Sequence, residues 1–176
     1  MIGTSTEIDQ AWYRQVLRHF PTGVVIVTAM SDSGPAGLSV GSFMSVSLDP
    51  QLVAVLPAKT STSWPKIAAA TSFCINILAA SQQELCRRFA ISGGDKFAGV
   101  PWRPAPSGAP ILDGALAWID CEHERSVEAG DHLIVLGQVR VLDIDTGQTP
   151  APLIFFQGGY GTFAIPRRPE TTPEVA

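Results

Sequence analysis

Between residues 23 and 156, segments with strand character follow one another with turn residues, not helices, between most of them. This succession constrains the fold more than any other feature. GVVIVTAM, residues 23–30, is almost wholly apolar and rich in β-branched side chains, which marks a buried strand, and SDSGPAG reads as the turn after it. Residues 38–48 alternate. Leu38, Val40, Met44, Val46 and Leu48 fall on one face, with Ser42 as the exception, and Ser39, Gly41, Phe43, Ser45 and Ser47 fall on the other. Asp49-Pro50 turns the chain and QLVAVL returns; FCINIL is a further strand. ALAWIDCEHERSV and HLIVLGQVRVLDI form a long antiparallel pair about the AGD turn, and LIFF is a last short strand. About seven strands against three helices, without strict alternation, predict a mainly β protein: an antiparallel barrel with peripheral helices.

The helices have their own signatures. Ile8, Trp12, Val16, Leu17 and Phe20 recur at helical spacing over residues 6–20, and Pro21 stops that helix. PKIAAA predicts a short helix with Ser63 or Ser61 as N-cap and Pro65 in its first turn. SQQELCRRFA opens with Ser81 and has Glu84 three residues on, the pattern of a capping box. Residues 93–114 are rich in Gly and Pro and read as irregular chain.

A chain of 176 residues, 45% hydrophobic, is long enough to close one core, so residues 1–176 are expected to form a single domain with a mobile polar tail at 164–176. The net charge is −4 and the twelve Lys and Arg are scattered, which argues against nucleic-acid partners. No apolar segment approaches the roughly 18 residues of a membrane span, and the N-terminus lacks a basic-then-apolar leader, so a cytoplasmic location is expected. Cys74, Cys86 and Cys121 have no metal or redox spacing and are expected to be buried packing residues. The three histidines share no metal spacing either.

PAKTSTSWP, residues 57–65, gathers four hydroxyls and Lys59 at a helix start, an arrangement suited to an anion such as phosphate. A capped helix with a solvated loop has the same composition. The preceding face of Ser39, Gly41, Ser45 and Ser47 has little bulk, so a planar ring can approach the backbone there; a strand facing water would also carry these serines. Together, shelf and anion pocket suit a phosphorylated aromatic cofactor.

In order and spacing, FPTGVVIVTA, GLSVGSFMSVSLDP, AKTSTSW, RRFA, GGDKFAGVPW, AGDHLIVLGQV and PLIFFQGGYGTF resemble the short-chain flavin reductases with an FMN-binding split barrel. The likeness covers residues 10–163 and is nearest to the reductase components of two-component flavin-dependent monooxygenases. It implies an antiparallel Greek-key split β-barrel that forms a homodimer, reduction of FMN or FAD by NADH or NADPH, and a separate flavin-dependent oxygenase as partner. It also implies that Ser39, Val40, Gly41 and Ser42 hold the isoalloxazine edge, largely through backbone groups. Ser45 would lie beneath the flavin side chain, and Lys59, Thr60 and Ser61 at its phosphate. Arg88, Phe89, Lys96 and Phe97 become candidates for the ribityl phosphate or for the adenosine end of FAD, although Phe89 also suits a core and Lys96 a solvated turn. His132 in the GDH turn is assigned to the nicotinamide side as the catalytic candidate, with Tyr160 beside it; its alternative is a turn residue bonded to Asp131. His19 and His123 read as structural or exposed.

Hydride transfer is chemistry of the two nucleotides, so such a protein positions them and needs no nucleophile or acid–base pair. Without GxGxxG or a second nucleotide domain, the pyridine nucleotide must bind across the flavin itself. Two rivals remain. A non-catalytic flavin- or haem-binding split-barrel protein would share the fold. GLSVG also matches the GxSxG of serine hydrolases, but that motif requires a strand before the serine and a helix after it, whereas DSGPA and an alternating segment flank this one.

Overall fold

A computed structural model describes residues 8–145 and 151–163; the expected tail at 164–176 lies outside the described residues. Helix α1 (Gln10–Leu17) is followed by β1 (Thr22–Gly23), β2 (Val25–Ser31), β3 (Gly34–Val40), β4 (Phe43–Leu48) and β5 (Gln51–Val55). Next come α2 (Trp64–Ala68), β6 (Ser72–Ile77), α3 (Gln83–Ala90), β7 (Trp102–Pro104) and β8 (Pro110–Leu112). The long strands β9 (Ala117–Ala129) and β10 (His132–Ile144), then β11 (Leu153–Phe156) and β12 (Gly159–Thr162), complete the described chain.

The main sheet has seven strands in the order β3-β2-β6-β9-β10-β5-β4, every neighbouring pair antiparallel. Strands β3 and β4 are its two edges, yet only Gly41 and Ser42 separate them in sequence. Six inter-strand spacings of about 4.8 Å would put the edges of a flat sheet roughly 29 Å apart. The three Cα steps from Val40 to Phe43 span at most about 11 Å. The sheet must therefore roll until its edges meet at the 41–42 corner, which makes the fold the expected split barrel.

Strand β2 explains its continuous apolar run by facing two cores. Val25, Val27 and Ala29 point into the barrel with Val53, Val55, Phe73, Ile75 and Val135. Ile26, preceded by Val24, packs outside with Leu78, Cys86, Phe89, Leu112 and Leu153, beneath α3. Between the layers, buried Asn76 donates to the Ile26 carbonyl at 3.2 Å and accepts from Leu112 N–H at 2.8 Å, so it pins the β7–β8 hairpin to the barrel wall.

Several sequence expectations are corrected. The turn after β2 is only Asp32-Ser33, and β3 already begins at Gly34; Pro35 is tolerated because β3 is an edge strand. Residues 38–48 are not one strand. The corner at 41–42 inverts the pleat, so Leu38, Val40 and Phe43 face the barrel core while Met44, Val46 and Leu48 are exposed. A bulge between Ser45 and Ser47 shifts the remaining register. Residues 93–114 contain the β7–β8 hairpin, and β12 pairs with β11 in a second sheet, β1-β11-β12.

At α3, Ser81 and Glu84 form no capping box. Residues Ala80–Gln82 make a 3-10 turn, Ala79 N–H donates to Gln82 Oε1 at 3.0 Å, and Glu84 pairs with Arg87 at 2.6 Å. Helix α1 is shorter than expected and is capped by Asp9, whose carboxylate accepts from Ala11 N–H at 3.3 Å and Trp12 N–H at 3.2 Å. Its apolar side is exposed: Trp12 is 59% and Phe20, just beyond the helix, 74% accessible. The three cysteines are buried as expected. Among the described residues, no helix is long and apolar enough to cross a membrane.

Candidate functional site

The corner where the barrel edges meet organises the candidate residues. Val40 ends the ladder with β2 opposite Val25, and Phe43 begins the ladder with β5 opposite Val55; Gly41 and Ser42 belong to neither. Ser42 is fixed nonetheless, because its Oγ donates to the Leu56 carbonyl and accepts from Leu56 N–H, each at 3.2 Å. Gly41 is exposed, and a Cβ there would meet Thr22 Oγ1 at 2.8 Å, so the absence of a side chain serves the approach of β1 to the corner.

The shelf is less bare than the alternation suggests. Ser39 is half-buried with its Oγ 3.2 Å from Cys86 Sγ, because α3 crosses that side of β3. The crossing is close: a Cβ on Gly37 would sit 2.3 Å from Phe89 Cε1. Open surface is left at Gly41 and at Ser45, on the outer edge strand β4.

Hydrogen bonds join the loop after β5 to the tip of the β9–β10 hairpin. Leu133 N–H donates to Pro57 O at 3.0 Å, Ala58 bridges His132, and Lys59 N–H donates to Asp131 O at 2.9 Å. The Lys59 ammonium also pairs with Glu128 at 3.0 Å, while the half-exposed His132 ring bonds Asp131 Oδ1 through Nδ1 at 2.7 Å. That bond, together with the charge of His132, holds the Asp131 carboxyl below the usual carboxylate value. Lys59 and His132, proposed for opposite ends of a bound pair of nucleotides, are therefore neighbours.

The hydroxyl row divides. Ser61 Oγ accepts Trp64 N–H at 3.1 Å and so performs the capping role at α2, while the side chain of Ser63 makes no cap and accepts from Lys96 Nζ at 2.9 Å. Thr60 and Thr62 remain exposed.

Arg88, Phe89, Lys96 and Phe97 form a scaffold. Phe89 is wholly buried and packs edge-to-face on Phe97 at 5.0 Å, so its ring belongs to the core. Arg88 donates to the Ala98 carbonyl at 2.9 Å. Lys96 is no solvated turn charge: besides Ser63, its ammonium donates to the Phe89 carbonyl at 2.9 Å and the Gly37 carbonyl at 3.3 Å. Desolvation, then the nearby charge of Lys66, pushes its pKa down. These ties frame a cleft of about 210 Å³ that includes Thr62, Lys66, Gly93 and Gly94. Lys66, which the sequence reading passed over, brings an exposed charge to this cleft; its signal was a lone lysine on the short helix that the hydroxyls precede.

Tyr160 lies across α3. Its hydroxyl accepts from the Cys86 thiol at 3.2 Å, its ring sits 5.6 Å from the Arg87 guanidinium, and Phe155 packs on it edge-to-face at 5.2 Å. Burial, then the Cys86 hydrogen bond, pushes the phenol pKa up to about 12. Cys86 thus links Tyr160 to Ser39, whereas Leu56 and Ala58 link Ser42 to His132. Tyr160 and His132 flank the corner through different partners.

His19 bonds the Gln15 carbonyl and His123 bonds Ser126, both at the surface. No group of three or more metal-ligating side chains occurs among the described residues. Ser39 lies within one strand and is followed by another, with its Oγ on Cys86, so GLSVG is not a nucleophile elbow. The arrangement can hold and orient ligands; the one Ser–His hydrogen bond among the described residues, His123–Ser126, lies at the surface away from Ser39.

The model of the flavin reductase like domain matches residues 17–164. A flavin reductase of Pseudomonas putida is 51% identical over 158 residues, covering 89% of this chain and 92% of the relative. The reductase subunit HsaB of a flavin-dependent monooxygenase from Mycobacterium tuberculosis is 41% identical over 156 residues, covering 89% of this chain and 83% of its own length. Among solved structures, the NADH:FAD oxidoreductase SgcE6 of Streptomyces globisporus, in complex with NAD and FAD fragments, superposes with a TM-score of 0.84 at 33% identity over 93% of this chain and 100% of its own. The rolled sheet, the corner with its two flanking links and these likenesses agree: the chain belongs to the flavin reductase family.

Proposed function

We propose that this protein oxidises NADH or NADPH, passes the hydride to FMN or FAD and releases reduced flavin to a separate flavin-dependent oxygenase. The observation that carries the reading is the stitching of residues 57–59 to residues 131–133, which brings Lys59 beside His132 and both within a few residues' reach of the corner. A flavin supplies the hydride-accepting ring when bound. The backbone of Ser39, Val40, Gly41 and Ser42 lines that ring's edge, with Ser45 below its side chain. The phosphate is taken by Lys59 with the hydroxyls of Thr60 and Ser61. The residues present fit such a group, because Lys59 is held only by an exposed ion pair, an interaction worth about 0–1 kcal/mol, and can exchange Glu128 for a phosphate. His132, oriented by Asp131, faces the nicotinamide side, with Tyr160 beyond the corner.

Arg88, Phe89, Lys96 and Phe97 support the site from behind, shaping the β3–α3 crossing rather than touching the ring. The relative whose name gives NADH and FAD supports both substrates, and the reductase subunit supports a separate oxygenase. We further propose a homodimer acting in the cytoplasm. Support comes from the large apolar side chains left exposed on α1 (Trp12, Val16, with Phe20 just beyond) and on β4 (Met44, Val46, Leu48), which a second copy would cover.

The test is anaerobic NADH oxidation by the purified protein with FMN and then FAD, followed in the nicotinamide absorbance band. Acceleration well above the protein-free rate is expected. Equal rates with and without protein would leave a binding protein without turnover.

A further inference from the structure

The C-terminal half of α1 and the β11–β12 turn enclose a second cleft, of about 620 Å³, lined by Ala11, Arg14, Gln15, Arg18, His19 and Gln157. Its size falls within the roughly 300–1,000 Å³ typical of small-molecule sites. At about 100° per residue, positions 11, 14, 15 and 18 form one stripe, with Val16 on the far side of the helix and Trp12 flanking Gln15.

The cleft is basic in a chain of net charge −4, and no carboxylate lines it. Among the described residues, the ion pairs joining arginine or lysine to a carboxylate are Lys59–Glu128, Arg87–Glu84 and Arg140–Glu122; neither Arg14 nor Arg18 has such a partner. Two guanidiniums one turn apart repel each other, and an anion between them relieves that repulsion. Each presents a planar fork that matches phosphate oxygens. His19 has its Nδ1 on the Gln15 carbonyl, so its Nε2 donates to an anion only when the ring is protonated. The far wall is fixed: Gln157 N–H donates to the Arg18 carbonyl at 3.1 Å, and Gln157 holds a φ of 49°, a conformation that side chains rarely adopt.

Position links this cleft to the corner. The hydrogen bond from His132 is the main cause that holds the Asp131 carboxyl below the usual carboxylate value, and the charge of Arg14 is the smallest of the contributing causes, so the basic wall acts on the Asp131–His132 turn at longer range. The chain has no GxGxxG loop to cradle phosphates with backbone amides, so phosphates near this turn need side-chain charges. We propose that the cleft between α1 and the β11–β12 turn binds the adenosine diphosphate half of a dinucleotide, with Arg14 and Arg18 on its phosphates. The inference rests on the reading of His132 as the nicotinamide side. The same half occurs in NADH and in FAD, where the phosphate next to the ribityl chain is the one read above as lying at Lys59 and only the adenosine-side phosphate would reach the cleft, so the test separates the two sources.

With FMN as acceptor, which has no adenosine diphosphate, the Arg14→Gln/Arg18→Gln double variant is expected to raise KM for NADH about tenfold or more while kcat falls far less. That result assigns the cleft to the pyridine nucleotide. Loss of FAD affinity relative to FMN, with KM for NADH unchanged, assigns it to the flavin dinucleotide. If both KM for NADH and the FAD-to-FMN affinity ratio stay at wild-type values, the inference is overturned.

Calorimetric titration of the unmodified protein with ADP needs no variant. Saturable binding that NADH or FAD displaces is expected, and absence of binding at millimolar ADP overturns the proposal. The two readings fail separately. A protein that binds ADP but reduces no flavin sinks the reductase reading and keeps the cleft, whereas one that reduces flavin but ignores ADP and the double substitution does the reverse.

Discussion

The Lys59 backbone N–H donates to the Asp131 carbonyl at 2.9 Å, joining two loops that stand far apart in sequence. A flavin phosphate on Lys59 and a nicotinamide beside His132 would therefore share one rigid connection, reinforced by the Ala58–His132 bridge and the Lys59–Glu128 ion pair.

Lys59→Glu places a negative charge where a phosphate is expected. Losing a charge-assisted hydrogen bond costs about 1.5–3 kcal/mol, so FMN affinity should fall about 10- to 100-fold. Riboflavin, which lacks the phosphate, is the control for the same calorimetric titration. An equal loss for both ligands would remove Lys59 from the phosphate end.

His132→Ala should raise KM for the pyridine nucleotide or slow hydride transfer in stopped-flow traces while FMN affinity holds. Asp131→Asn should reproduce part of the effect, because the Asp131 carboxylate orients the ring at 2.7 Å. A His132→Ala variant altered only in FMN binding would contradict this placement.

Gly37→Ala should destabilise the fold. Its Cβ would lie 2.3 Å from Phe89 Cε1, and Phe89 is wholly buried with Phe97 packed on its ring, so the overlap cannot relax outward. A cost of about 1–3 kcal/mol in chemical denaturation is expected. Gly41→Ala meets only the Thr22 hydroxyl at 2.8 Å and should cost less stability; its larger effect should be on flavin turnover, through the corner. Similar stability losses in the two variants, with turnover intact in Gly41→Ala, would show that both glycines serve packing alone.

Tyr160 contributes a pH dependence at the alkaline end. Burial, then the Cys86 hydrogen bond, pushes its pKa up to about 12 from the ordinary 10.0, so the folded state retains a proton that the unfolded chain releases. The associated stability is complete below pH 10 and lost as the pH rises towards 12. Burial also raises Cys74 and Cys121, and they titrate in the same direction, so the comparison must be made against Tyr160→Phe. Thermal melts should decline more steeply between pH 10 and 12 for the native protein than for the variant; parallel curves would refute the assignment.

Most of the barrel was legible because its signals are local. The run at 23–30 is apolar on both sides since β2 serves two cores, and the β9–β10 pair is announced by its turn and by long β-rich stretches. Strands β7 and β12 were hidden by their composition: WRP and GYGT carry little strand propensity and are held by their pairing partners. Of the candidate site, Lys59 was singled out by the hydroxyl row at a helix start and Ser42 and His132 by motif order, but their mutual approach depends on bonds between distant loops. Phe89 and Lys96 were left open in the sequence between ligand contact and structure; the β3–α3 crossing puts the Phe89 ring in the core and ties the Lys96 ammonium to Phe89, Gly37 and Ser63. Arg14 and Arg18 were passed over in the sequence, where only the apolar positions of their helix carried a signal; the β11–β12 turn makes their side of the helix one wall of a cleft.

The two-residue corner at Gly41-Ser42 also sets how tightly the two edges of the barrel are tied to each other. Because Phe43 is held opposite Val55 and packs on the barrel core, a residue added or removed there would either be taken up by the connection or force β4 to slip by one, which would turn Phe43 to solvent and Met44 inward. A change of length at this point is therefore expected to act on barrel closure, whereas a change of residue identity leaves the span between the two edges as it is.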